Sequence, residues 1–186
     1  MKRAVFLDRD GTINVEKNYL YRVEDFQFIS GTQEGIRLLN EAGFMVVVVS
    51  NQSGVARGYF TEEDVTTLHH FIDKQLEQSA ARIDAWLYCP HHLLGRGSYS
   101  LPCTCRKPLP GMLIEAARRY EIDLNASVMI GDKLADVEAG IAAGCRSILV
   151  RTGYGSTEES IIPAGTEVFD DLLGAAKALT GLQDRV

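Results

Sequence analysis

A chain of 186 residues that is 46% hydrophobic and 24% charged can bury roughly 70% of its unfolded surface in one core, so one domain over residues 1–186 is expected. Its formal charge of −6 argues against a nucleic-acid partner, which normally demands a basic face. No apolar run approaches the ~20 residues of a membrane helix, and the N-terminal MKRAVFLDRDG returns to charge too early for a secretory leader; the expectation is a cytoplasmic protein with no membrane partner, and a monomer, because no heptads are readable.

Taken in chain order, Ala4 to Leu7 form a short buried strand that ends on Asp8-Arg9-Asp10-Gly11-Thr12. Asp8 and Asp10 stand two residues apart, so in an extended backbone their side chains leave on one side and can converge on one ligand. At about 4 Å two such carboxylates repel by ~4 kcal/mol at an effective dielectric near 20, which calls for a cation or a shared proton. An EF-hand loop would need its glycine sixth and a glutamate twelfth, a pattern not met here. Residues 14–29 mix aromatic, β-branched and polar residues without helical spacing and read as a hairpin-like flap over the end of the first strand. Gly31 to Gly43 hold a helix with Ile36, Leu39 and Ala42 on one face and Gly43 as its stop. Phe44–Val49 is apolar without alternation, as in a parallel strand covered on both faces, and the polar turn Ser50–Gly54 follows.

Thr61 is placed as an N-cap with Asp64 completing a capping box and Phe60 stapling onto Val65, while Val65, Leu68, Ile72 and Leu76 make the buried stripe. Asp84–Tyr88 reads as the third strand, followed by irregular chain from Cys89 to Pro110; an irregular stretch of that length is usually functional or held by something. A helix then runs through Met112, Ala116 and Tyr120, a fourth strand covers Ser127–Ile130, a helix buries Val137, Ile141 and Ala142 before Gly144, and Arg146–Val150 is a fifth strand. A short strand near Val168 and a helix through Leu172 and Leu179 complete the order. Strands alternating with helices predict an α/β fold with a doubly wound, mostly parallel sheet, whose ligands bind beyond the carboxyl ends of the strands. Asp8 and Asp10, Ser50, and Asp132 follow strands at that edge, and Lys107 precedes a helix leading back to it. Together they offer a nucleophile, an acid/base, a divalent-cation site and donors for phosphoryl oxygens.

That set in that order, DRDGT at Asp8–Thr12, the serine of VVVVSNQ, Lys107, and GDKLAD at Gly131–Asp136, resembles the haloacid dehalogenase superfamily. The resemblance implies Asp8 as the nucleophile that becomes an aspartyl-phosphate and Asp10 as the acid/base. It also implies Mg²⁺ held by Asp8, the Asp10 backbone carbonyl and Asp132, with Asp136 an alternative or supporting group, and Ser50 and Lys107 on the transferring oxygens. Only a flap and no large cap domain fits between Asp8 and Ser50. A receiver-type phosphoacceptor domain uses similar groups, but its acceptor follows the third strand, where Cys89-Pro90-His91 stands here.

Cys89, His91, Cys103 and Cys105 supply three sulfurs and an imidazole, a complete tetrahedral set for structural Zn²⁺, with His92 the competing imidazole, so the loop 89–105 is read as zinc-stabilised. This loop and Cys105–Pro108 resemble the branch of the superfamily that holds heptose-bisphosphate phosphatases and histidinol-phosphatases, and NQSGVARGYF at Asn51–Phe60 with RKPLPGM at Arg106–Met112 resembles the former. A small-molecule sugar bisphosphate is the implied substrate. Arg57 and Arg106 would serve its second phosphate, and Glu16, Lys17, Asn18, Tyr19, Asn51, Gln52, Ser53 and Lys133 would contact it.

Overall fold

The computed structural model describes residues 1–182; the last four residues of the expected domain, 183–186, lie outside them. Six parallel strands, β1 (Ala4–Leu7), β2 (Met45–Asn51), β3 (Ala85–Cys89), β4 (Val128–Gly131), β5 (Arg146–Val150) and β6 (Glu167–Phe169), form one sheet in the order β3-β2-β1-β4-β5-β6. The order reverses between β1 and β4, which opens a crevice beyond their carboxyl ends. Helices α1 (Thr32–Glu41), α3 (Glu62–Glu77), α4 (Gly111–Tyr120), α5 (Leu134–Ala143) and α7 (Leu172–Thr180), with the short α2 (Ser53–Arg57) and α6 (Gly155–Glu158), connect the strands.

Strand residues alternate between two buried layers. Val5, Leu7, Val46, Val48, Ile148 and Val150 pack with Ile36, Leu39, Leu68, Ile72 and Leu172 on one face. Phe6, Val47, Val49 and Met129 pack with Met112, Leu113, Ala116 and Ala139 on the other. Burial of both faces is why β1, β2 and β4 read as unbroken apolar runs. The expected capping box at the start of α3 is formed: Thr61 accepts from the Asp64 backbone N–H and Asp64 accepts from that of Thr61.

Several expectations are corrected. The polar turn placed at 50–54 is instead the last two residues of β2 followed by α2. The flap is not a regular hairpin: only its base pairs, through Asn14 and Phe28, and its body holds a single 3-10 turn, Val23–Asp25. Phe26 and Phe28 stack edge-on against one another, and Phe26 against Phe71 of α3, so the aromatics serve the core rather than strand alternation. In α5, Ile141 and Ala142 are exposed, and the buried face is Asp136, Val137, Ala139 and Gly140. The reason is closeness: a Cβ on Gly140 would stand 2.2 Å from Ser147 Oγ and 2.6 Å from Met129 Cβ, so only glycine lets the helix lie this near β4 and β5. No helix among the described residues is long and apolar enough to cross a membrane.

Candidate active site

The carboxyl ends of β1 and β2, the turn after β4 and the flap enclose a cleft of about 490 Å³. Asp8, the first residue beyond β1, is buried there beside Lys107, whose ammonium donates to Asp8 Oδ1 at 2.6 Å and to the Val49 carbonyl at 2.7 Å and lies 2.6 Å from Asp136 Oδ1. All three ammonium protons thus have an acceptor. Burial works against the charge on Lys107, but Asp136 and Asp8 more than offset it and raise its pKa. Lys107 is itself fixed by Asn51, whose Oδ1 accepts from the Lys107 backbone N–H and whose Nδ2 donates to the Lys107 carbonyl, both at 3.0 Å.

Asp132 and Asp136 complete an acidic cluster: one carboxylate oxygen from each, with one from Asp8, lies within 4.8 Å of the others. Burial, then the neighbouring Asp8 and Asp136 carboxylates, push Asp132 up to about 8. Burial also pushes Asp8 up to about 6, although Lys107 pulls the other way. Asp132 Oδ2 accepts from the Tyr154 backbone N–H at 2.9 Å, while Oδ1 is buried without a partner. Space for this carboxylate is made by Gly11 (φ +89°) and Gly153 (φ +56°), where a Cβ would come within 2.2 and 2.1 Å of Asp132 Oδ2. An orphaned oxygen in a crowded, all-oxygen, negatively charged set fits a hard divalent cation such as Mg²⁺.

Asp10 lies at the flap side of the cleft. Both its oxygens accept from Arg9, at 3.1 and 3.0 Å, and it also accepts from Asn14 Nδ2 and Gln52 Nε2, each at 3.0 Å. Burial alone would raise its pKa, but the Arg9 guanidinium and these amides outweigh it and hold Asp10 below the usual carboxylate value. Gln52 Nε2 donates as well to Ser50 Oγ at 2.7 Å, joining the end of β2 to the acidic pair.

Of the residues expected to meet substrate, Glu16, Asn18, Tyr19, Asn51, Gln52, Ser53, Arg106 and Lys133 line the cleft; Lys17 and Arg57 do not. Lys17 is exposed on the flap, and Arg57, at the end of α2, lies 3.4 Å from His92 Nε2. Lys133 bonds to Glu16 at 3.1 Å and sits 4.6 Å from the centre of the Tyr154 ring, and the Tyr154 hydroxyl reaches Asn18 Oδ1 at 3.4 Å. Sequence reasoning missed Tyr154 and Arg9. Nothing in the sequence marks a tyrosine after β5, and Arg9, one residue beyond Asp8, reads there as a turn residue between two acids.

In the loop after β3 the four expected zinc ligands converge. Cys89 Sγ lies 3.0 Å from Cys105 Sγ and 3.5 Å from Cys103 Sγ, and His91 Nδ1 is 3.4 Å from Cys105 Sγ. Sulfurs around a zinc ion stand roughly 3.8 Å apart, so these separations are compatible with such a centre. His92 is turned away, its Nδ1 accepting from the Leu94 backbone N–H.

Residues 104–175 match the HAD-hydrolase-like family. The chain is 42% identical over 184 residues, covering 98% of this chain and 100% of the relative, to the D-glycero-beta-D-manno-heptose-1,7-bisphosphate 7-phosphatase of Pasteurella multocida (strain Pm70). It is 46% identical over 159 residues, 84% of this chain and 83% of the relative, to the protein of the same name from Escherichia coli (strain K12). Among solved structures, the D,D-heptose 1,7-bisphosphate phosphatase of B. bronchiseptica complexed with magnesium and phosphate superposes with a TM-score of 0.88 at 36% identity, covering 98% of this chain and 100% of that one.

Proposed function

The chain belongs to the D-glycero-β-D-manno-heptose-1,7-bisphosphate 7-phosphatase family of HAD-like hydrolases, and from that premise we propose that it removes the 7-phosphate of D-glycero-D-manno-heptose 1,7-bisphosphate, on the route to nucleotide-activated heptose for cell-envelope lipopolysaccharide. The observation that carries this reading is the buried Asp8 carboxylate held by Lys107 in the cleft, with Asp10 two residues on and the partly unpartnered Asp132 close by. A histidinol-phosphate substrate is not favoured, since the curated relatives bear the heptose name. The enzyme is read as a cytoplasmic monomer of one domain, its flap and zinc loop flanking an open site.

Asp8, the Asp10 carbonyl and Asp132 would hold Mg²⁺, which supplies positive charge against the crowded carboxylates and the phosphate dianion. An Asp8 oxygen attacks phosphorus, the bond from phosphorus to the sugar oxygen breaks, and Asp10 gives that oxygen a proton. Arg9 disfavours the proton on Asp10 beforehand, and the approaching phosphate dianion restores Asp10's affinity for it by like-charge repulsion. Asp10, now a carboxylate, then accepts a proton from a water that attacks the phosphorus of the aspartyl-phosphate, and inorganic phosphate leaves with Asp8 regenerated. Ser50 and Lys107 donate to the equatorial oxygens, where preorganised donors count most in the transition state. Arg106 and Lys133, both lining the cleft, would fix the substrate, and Arg57 would have to turn from His92 to reach a second phosphate.

The test is phosphate release followed by ³¹P NMR with Mg²⁺ and the β anomer named for the relatives. The 7-phosphate should be lost and the 1-phosphate kept, with kcat/KM above that for histidinol phosphate, and Asp8→Asn should lower turnover by ~10³-fold or more. Loss of the 1-phosphate, or preference for histidinol phosphate, would overturn the substrate; turnover intact in Asp8→Asn would overturn the covalent route.

A further inference from the structure

Arg9 is completely buried, a rare state for a guanidinium, and the site described above gives it no contact with substrate. Its donors reach four segments. They grip both oxygens of Asp10, donate to the Leu20 carbonyl in the flap at 3.0 Å and to Gln52 Oε1 after β2 at 3.4 Å, and lie 3.5 Å from His69 Nε2 on α3. His69 is in turn stacked on Trp86 of β3, ring centres 4.0 Å apart and planes within 14°, so the acceptor beside Arg9 is held by the core. A planar fork bound on several sides fixes the plane of the carboxylate it grips, which a lysine ammonium, a point charge on a flexible stem, does not.

We propose that Arg9 is a positioning residue for Asp10: anchored by His69, Gln52 and the Leu20 carbonyl, it sets the angle at which the Asp10 carboxyl meets the leaving oxygen, and it ties the flap to that angle. The inference rests on the reading of Asp10 as the acid/base. A buried arginine that only stabilised the fold would affect every substrate alike. A positioning role is selective, because proton donation matters for a sugar alkoxide and little for 4-nitrophenolate, which departs without a proton.

The experiment compares kcat/KM on the heptose bisphosphate and on 4-nitrophenyl phosphate for the full-length protein, Arg9→Lys and Asp10→Asn, with Mg²⁺ saturating. The ratio of the two values does not depend on the fraction of enzyme that is folded. Arg9→Lys should lower the sugar substrate about tenfold or more beyond its effect on 4-nitrophenyl phosphate, and Asp10→Asn should show the same split, larger. A split in Asp10→Asn with equal losses in Arg9→Lys would overturn the role of Arg9 alone; no split in Asp10→Asn would overturn the reading of Asp10 on which it stands. If Arg9→Lys does not fold, His69→Phe, which keeps a ring against Trp86 and removes only the acceptor, is expected to shift the ratio in the same direction. An unchanged ratio there would equally reject the proposal.

Discussion

Asp132 is fully buried with one oxygen unpartnered, and the repulsion it shares with Asp8 and Asp136 makes the metal-free fold sensitive to pH in a definite direction. In the folded chain Asp8 and Asp132 keep protons up to about 6 and about 8, whereas in an unfolded chain both ionise near 4. Between those values the folded state binds more protons, so stability falls as pH rises from about 4 to about 8. A cation among the carboxylates removes the repulsion. Adding Mg²⁺ should therefore raise the thermal midpoint by several degrees at pH 8 and by much less at pH 5, as scanning calorimetry would record; an equal shift at both pH values would contradict this account. The acidic pair itself could be read from the spacing of Asp8 and Asp10. The grip of Arg9 on Asp10 could not, because alternation sends residue 9 to the other side of an extended chain, and the groups that hold its guanidinium beside Asp10, the Leu20 carbonyl, Gln52 and His69, come from distant segments.

Elements were legible where a local signal and a core stripe agreed. In α3, Thr61, Asp64 and the stripe Val65, Leu68, Ile72, Leu76 all mark the same helix, and all four stripe residues are buried. Thr61→Ala should remove one side of the reciprocal cap and destabilise the protein by about 1 kcal/mol, a fall in midpoint of ~2–4 °C for a chain of this size, with kcat unchanged; calorimetry beside an activity assay checks both. By contrast α2 spans only Ser53–Arg57, too short to show a period. The inward face of α5 was misjudged because hydrophobicity favours Ile141, while close approach to the sheet favours Gly140 and Ala139. Size, not polarity, decides which residue of that helix faces inward.

For the molecule as a whole, strand–helix alternation was enough to place the site at the carboxyl edge of a parallel sheet, but the strand order that opens the crevice between β1 and β4 is a property of tertiary pairing. Nor could spacing show which imidazole joins the sulfurs; the turn after Cys89 aims His91 at them and leaves His92 beside Arg57. The cluster ties the end of β3 to Cys105, two residues before Lys107, so the loop 89–105 is mechanically continuous with the candidate site. Protein prepared without added zinc should carry about one zinc per chain, and stripping it should lower both kcat and the thermal midpoint even with Mg²⁺ saturating; folded, fully active protein with no zinc would refute the centre. The paired bonds between the Asn51 amide and the backbone of Lys107 have a wider effect. They staple the bearer of the ammonium directly to the end of β2, so the outer loop at 93–101, which carries none of the clustered ligands and does not line the cleft, can be rewritten over evolutionary time without moving Lys107. Taste for a new metabolite and the power to cleave its ester bond are, in such an architecture, separately heritable.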